Sequence, residues 1–112
     1  MEVGLNKIEN VVILTIKGRA DASSAPKLEA TCKKILDQNE NNVLIDGTNL
    51  DFISSAGLRV LLKLAKTIKK NSGRLAIAHV NDLVRQIFEI SGFIELFPIY
   101  ENVVVSLGHF QK

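Results

Sequence analysis

Two adjacent serines, Ser54 and Ser55, stand at the junction that most constrains how this chain can fold. Before them, residues 43–46 form a short apolar run of the kind found in buried strands. After them, residues 55–70 place apolar and basic side chains on opposite faces at helical spacing. The junction therefore predicts a buried strand and then a helix whose start carries both hydroxyls. The predicted apolar face of this helix consists of Leu58, Leu61, Leu62, Ala65 and Ile68.

The start of this predicted helix is a position that tolerates negative charge. A serine there is a favoured N-cap, because its oxygen accepts a hydrogen bond from an amide of the first turn. The unpaired amides and the helix dipole stabilise an anion at the same place. A phosphate on Ser54 or Ser55 would therefore fit the fold, which makes the junction a candidate switch. For an arbitrary pair of serines before a helix, capping alone is the commoner interpretation.

The rest of the chain predicts two strands followed by alternating helices and strands. Apolar and β-branched runs predict strands at residues 3–8, 11–16, 43–46, 75–78 and 96–97. Helices are predicted from Ser23 or Ser24 to about Asn39, over 55–70, over 81–92, and within 100–107, where a strand is the alternative. This order is typical of an α/β domain with a mixed, partly parallel sheet of four to five strands and about four helices.

Length and composition predict a single domain over residues 1–112. That length is usual for one domain, and the net charge of +2 is too small to indicate a nucleic-acid or membrane partner. The lone cysteine, Cys32, excludes an internal disulfide, which fits a reducing cytoplasm. The chain begins without a signal-peptide pattern, and no apolar run approaches the roughly 20 residues that span a bilayer. We therefore expect a soluble cytoplasmic protein.

Enzymatic and metal-binding alternatives have little support in the sequence. A serine hydrolase elbow needs Gly-x-Ser-x-Gly, and Ile53 stands where the first glycine would precede Ser55. The two histidines, His79 and His109, are isolated from each other and from any triad pattern. Neither a Cys/His cluster nor a glycine-rich phosphate loop is present. We expect no enzyme, no metal and no cofactor, and a small serine hydrolase is the least favoured alternative.

A stripe of basic residues follows the predicted helix on its polar face. Its members are Arg59, Lys63, Lys66 and Lys70, and residues 52–81 contain no acidic side chain. The stripe is either a solvated face or a surface for an acidic partner. Nucleic acid is a weaker alternative, because aromatic residues are few and no recognition motif occurs.

Three segments resemble the STAS domain family, the family of bacterial anti-sigma factor antagonists. The segments are Gly18-Arg19-Ala20-Asp21, Val43-Leu44-Ile45-Asp46, and Phe52-Ile53-Ser54-Ser55-Ala56-Gly57-Leu58-Arg59-Val60-Leu61-Leu62. Their order and spacing match the family over nearly the whole chain, residues 3–107. The resemblance implies a STAS-like fold and a protein that performs no chemistry of its own but binds an anti-sigma factor.

The resemblance also implies a phosphorylation switch in transcription regulation. Family members bind an anti-sigma factor that is also a serine kinase of the GHKL type. Phosphorylation of one serine at the start of the second helix ends the complex, and a metal-dependent serine/threonine phosphatase restores it. On this chain the phosphoacceptor position falls on Ser55, with Ser54 as second choice. The family pattern is Asp-Ser-Ser/Thr-Gly-Leu, so Ser54 and Ala56 replace its acid and its second hydroxyl residue.

A partner-binding surface around the acceptor is implied by the same resemblance. Its residues are Asp21, which matches an acidic family position near the phosphoacceptor, together with Ser54, Ala56, Gly57 and Leu58. Gly57 either lets the partner's backbone approach closely or makes a tight packing contact in the first helical turn. The alternative function is a STAS subunit of a transporter or another signalling assembly that binds its partner constitutively.

Overall fold

The chain begins with an antiparallel hairpin. A computed structural model describes residues 1–92, 95–96 and 98–110. Strands β1 (Glu2–Ile8) and β2 (Val11–Ala20) pair from Glu2 opposite Lys17 to Ile8 opposite Val11. Glu9 makes the tight turn between them with a φ of 55°. The predicted hairpin is thereby confirmed.

Four further strands complete a mixed sheet. They are β3 (Asn42–Asp46), β4 (Leu50–Ile53), β5 (Arg74–Ala78) and β6 (Ile99–Tyr100). The main path runs β1-β2-β3-β5-β6, and every pair after the hairpin is parallel. Strand β4 leaves this path and pairs in parallel with the end of β2, where Arg19 lies opposite Phe52. This arrangement brings the end of β2 beside the start of the next helix.

Four helices connect and cover the strands. They are α1 (Ala25–Asp37), α2 (Ser55–Lys70), α3 (Asp82–Ile90) and α4 (Val103–Leu107), with a short 3-10 helix, Gly108–Phe110, after α4. Helix α2 has the bounds that the sequence predicts. The prediction of a helix within residues 100–107 is also confirmed, and Asn102 caps it by accepting a hydrogen bond from the Val105 amide at 2.8 Å. In the part of the chain that the structure describes, no helix is long and apolar enough to cross a membrane.

The two faces of the sheet carry separate apolar clusters. Alternate residues of β2 divide between them, because successive side chains of a strand point to opposite faces. Leu14 and Ile16 belong to the larger cluster, which α1, α2 and α3 cover. Val11 and Ile13 belong to the smaller cluster, which α4 and Phe110 cover. The helix that carries both serines therefore lies in the thicker of the two helical layers.

The observed strands differ from the predicted ones in three places. The described part of the sheet has six strands instead of four to five, because β4 was not predicted. Strand β2 continues to Ala20 instead of ending at residue 16. Leu96 lies in a turn instead of a strand, and Phe97 is outside the described residues. The last described strand is β6, which begins after Pro98.

The buried face of α2 also differs from the prediction. Leu61, Ala65 and Ile68 are buried as expected, but Leu64 is buried as well. Leu58 and Leu62 are only half-buried, so they belong to the edge of the core. The helix is therefore rotated so that these two leucines border its exposed surface.

Candidate functional site

Ser54 and Ser55 have different structural roles at the start of α2. Ser54 is the N-cap, with extended backbone angles (φ −91°, ψ 175°), and its Oγ accepts a hydrogen bond from the Gly57 amide at 3.5 Å. Its own amide donates to the Ala20 carbonyl at 2.8 Å. Ser55 is the first helical residue and is exposed, and within the described residues its hydroxyl makes no hydrogen bond. Ser54 is thus built into the fold, whereas Ser55 presents a free hydroxyl.

Gly57 holds the helix start against the end of β2. It is buried, and a Cβ at this position would lie 2.7 Å from the Ala20 carbonyl oxygen and 2.9 Å from Cγ1 of Ile53. Neither neighbour leaves room for a side chain, because one is backbone and the other is fully buried. The packing alternative therefore accounts for Gly57, and this residue does not itself lie on an accessible surface.

Asp21 folds back onto its own loop. Its Oδ1 accepts hydrogen bonds from the Ser23 hydroxyl at 2.7 Å and from the amides of Ser23 and Ser24 at 3.1 and 3.2 Å. The hydrogen bond from the Ser23 hydroxyl is the main cause that holds the pKa of Asp21 below its ordinary value of 3.8. Desolvation opposes this effect, and the amide bonds add to it. Asp21 is therefore ionised at neutral pH. It follows Ala20 directly, so it lies at the same edge of the fold as the two serines.

A groove of about 250 Å³ runs beside the exposed serine. It is lined by Ser55, Leu58, Arg59, Leu62, Ser91 and Gly92. Leu58 and Leu62 give it apolar walls, and the end of α3 closes its far side. Of the predicted partner-binding residues, Leu58 lines this groove. Ala56 follows Ser55 directly and is half-buried.

The electrostatic surroundings of the helix start combine basic side chains with the ionised Asp21. The first turn of α2 contains no acidic residue, and Arg59 follows one turn later. At the end of β2, the Arg19 guanidinium lies 4.5 Å from the centre of the Phe52 ring, in cation–π geometry. Within the described residues, no group of three His, Cys, Asp or Glu side chains could hold a metal ion.

Sequence reasoning missed the Arg19–Phe52 pair and the contribution of Ser91 and Gly92 to the groove. The first depends on the pairing of β4 with β2, and predicting β4 would have revealed it. The second depends on how α3 packs against α2, for which the sequence holds no local signal. Asp21, Ser54 and Gly57 were predicted, and the structure brings them together around Ala20.

Comparison with known proteins identifies the family of this chain. The family model of the STAS domain matches residues 2–105. The chain belongs to the STAS domain family. This STAS domain is 38% identical over 111 residues to BtrV of Bordetella bronchiseptica, which carries the provisional name of anti-sigma factor antagonist, and the match covers 99% of the chain and 96% of BtrV.

Two further comparisons extend the family assignment. The anti-sigma F factor antagonist of Paenibacillus polymyxa is 25% identical over 108 residues, with 96% of this STAS domain and 92% of that protein covered. A crystal structure from Thermotoga maritima, of a protein provisionally named an anti-sigma factor antagonist, superposes with a TM-score of 0.92 at 17% identity. That superposition covers 98% of this chain and 95% of the other, and at this identity it shows the fold alone.

These relatives bear on the question of catalysis. The curated relatives are anti-sigma factor antagonists, which are binding proteins and not enzymes, so this STAS domain is not an enzyme and the serine hydrolase alternative is dropped. The free hydroxyl of Ser55 is accordingly not a nucleophile that the protein itself activates. It is a group on which another protein can act.

Proposed function

We propose that this STAS domain is an anti-sigma factor antagonist whose binding is gated by phosphorylation of Ser55. One observation carries the proposal: the cap hydroxyl of Ser54 is engaged in the fold, whereas the neighbouring Ser55 hydroxyl is exposed and unbonded within the described residues. The names of the relatives supply the class of partner, an anti-sigma factor. Ser54 is the less suitable acceptor, because its side chain is half-buried and its Oγ already accepts a hydrogen bond within the fold.

The proposed kinase is the anti-sigma factor itself, a GHKL-type serine kinase in the bacterial cytoplasm. It would transfer the γ-phosphoryl group of ATP to Ser55 Oγ: the bond from phosphorus to the β–γ bridging oxygen breaks, a bond to Oγ forms, and ADP and the hydroxyl proton leave. A metal-dependent serine/threonine phosphatase would reverse the modification by hydrolysis. Both enzymes would act on the same feature of this chain, the exposed Ser55 side chain.

A phosphate on Ser55 would have opposite effects on the stability of the fold and on the affinity for the partner. Phosphoserine adds about −1.5 to −2 charges, which the first turn of α2 accepts because it contains no acidic side chain of its own. At an interface the same charge must be desolvated and repels any facing carboxylate. A penalty of about 3 kcal/mol would weaken binding roughly a hundredfold. Phosphorylation therefore releases the partner without unfolding the domain.

The proposed docking surface surrounds this serine. Asp21, Ser54, Ala56 and Leu58 would shape it, and Leu58 would contribute its half-buried side chain to the groove wall. Gly57 would contribute indirectly from its buried position, because it sets how closely α2 packs against β2 and so where the surface residues lie.

Intact-mass measurement after incubation with ATP and the cognate kinase tests the proposal. We expect a single phosphate gain in the native protein and in Ser54→Ala, and none in Ser55→Ala. A phosphate that persists in Ser55→Ala would contradict the choice of acceptor. If the native protein gains no phosphate and binds its partner equally well with and without ATP, the gated mechanism is wrong and constitutive binding as a subunit is favoured instead.

A further inference from the structure

Arg59 is an exposed cation that makes no ion pair within the described residues. Four ion pairs occur among the described residues: Lys7 with Glu40, Lys33 with Asp37, Lys63 with Glu29, and Arg85 with Glu89. Arg59 takes part in none of them, and within the described residues its side chain has no hydrogen-bond partner. Its guanidinium is therefore available to a new anion.

Arg59 is also placed to reach the acceptor hydroxyl. It follows Ser55 by four residues in α2, and side chains four apart are neighbours on a helix surface. Both residues line the same groove, so they face one space and not opposite sides of the helix. The order is favourable too, because an anion N-terminal to a cation at this spacing stabilises a helix better than the reverse.

No acidic side chain of α2 itself competes for this cation. Residues 52–81 contain no Asp or Glu, and the groove has apolar walls at Leu58 and Leu62. Both groups are exposed, so we expect the pair to have the modest strength of an ion pair on a helix surface.

We propose that Arg59 binds the phosphate of phosphorylated Ser55 within one turn of α2. The planar guanidinium can donate two parallel hydrogen bonds to phosphate oxygens, which a lysine cannot do. The pair holds the phosphate in its dianionic form and engages the Arg59 guanidinium, which a docked protein could then no longer use. Phosphorylation then both adds a negative charge to the docking surface and withdraws a positive one. This inference rests on the proposed function only for Ser55 as the modified residue.

Phosphorus NMR titration of protein carrying phosphoserine at position 55, incorporated during synthesis, tests the pair without any kinase. Free phosphoserine has a second pKa of about 6. We expect this pKa to rise by about 0.3 unit when Arg59→Gln removes the cation, and to recover in part in Arg59→Lys. Lys66→Gln is the matched control: it removes one charge from the same face, but Lys66 lies eleven residues and about 16 Å along the helix from Ser55.

Two outcomes would overturn the pair. One is an unchanged phosphoserine pKa in Arg59→Gln; the other is an equal rise in Lys66→Gln, which would indicate a general field and not a contact. Because the phosphate is installed synthetically, either result leaves the kinase reaction unaffected. Conversely, if intact-mass measurement finds that no kinase modifies Ser55, the titration still decides whether Arg59 binds a phosphate there.

Discussion

Gly57 shows how the size of one residue sets the geometry of the site. The backbone of Ala20 makes two contacts with the start of α2. Its carbonyl accepts a hydrogen bond from the Ser54 amide, and it packs closely against the Cα of Gly57. Both contacts fix where the first turn of α2 begins. The exposure of Ser55 therefore depends on a buried glycine two residues away.

Gly57→Ala should destabilise the fold by about 1–3 kcal/mol, because the new methyl group overlaps the Ala20 carbonyl and a buried isoleucine. Urea unfolding would show this as a lower midpoint. Gly4→Ala is the control: that glycine lies in the exposed hairpin strand, and a Cβ there meets nothing within 4 Å. A Gly57→Ala midpoint equal to that of Gly4→Ala would show that the helix start shifts freely.

The two serines mark the limit of what the sequence predicts at this scale. Serine chemistry predicts a cap and an anion-tolerant position, but it does not say which hydroxyl serves which purpose. The difference depends on the residue at which the helix begins. Ser54 has extended backbone angles and its oxygen accepts a hydrogen bond from an amide, whereas Ser55 is already helical. Helix boundaries read from sequence alone do not resolve a single residue.

At the scale of elements, Asn81 joins α3 to the strand that leads into the site. Its Oδ1 accepts a hydrogen bond from the Val84 amide at 2.8 Å and caps the helix. Its Nδ2 donates to the carbonyls of Leu50 and Asp51 in β4, at 3.1 and 3.4 Å. One side chain thus links the helix that closes the groove to the strand that precedes Ser54.

Asn81→Ala should lower the free energy of unfolding by about 1–2 kcal/mol, because it removes both the cap and the bonds to β4. Asn81→Asp separates the two effects: it keeps an acceptor for the Val84 amide but cannot donate to β4. We expect an intermediate loss in urea unfolding, with the exchange of the Val84 amide still slow in Asn81→Asp and faster in Asn81→Ala. Equal exchange in both variants would contradict the capping role.

Elements with strong local signals were predicted well, and elements defined by distant pairing were not. Helix α2 follows from its periodicity, and β3 and β5 follow from short apolar runs. Strand β4 has four residues directly after a turn, and only its pairing with the end of β2 makes it a strand. Gly18 indicated the end of β2, yet it makes an irregularity with a φ of +87°, after which the strand resumes in a shifted register.

At the scale of the molecule, the proposed acceptor hydroxyl and the core are separate. Ser55 is exposed at the outer rim of the helical layer, whereas the residues that stabilise that layer are buried beneath it, among them Leu61, Leu64 and Phe88. A charge added at the rim does not enter the core. Stability and partner binding can therefore change independently.

Ser55→Asp provides the strictest test of this separation, and Ser55→Asn is its matched control because the two side chains differ mainly in charge. We expect both variants to melt within about 4 °C of the native protein, since an exposed first-turn position tolerates either group. Partner affinity, measured by calorimetry, should fall about 10–100-fold for Ser55→Asp and much less for Ser55→Asn, because only the carboxylate must be desolvated as a charge. Two results would contradict a charge effect at the interface. One is a melting temperature that falls by much more than about 4 °C in Ser55→Asp but not in Ser55→Asn; the other is equal partner affinity of the two variants.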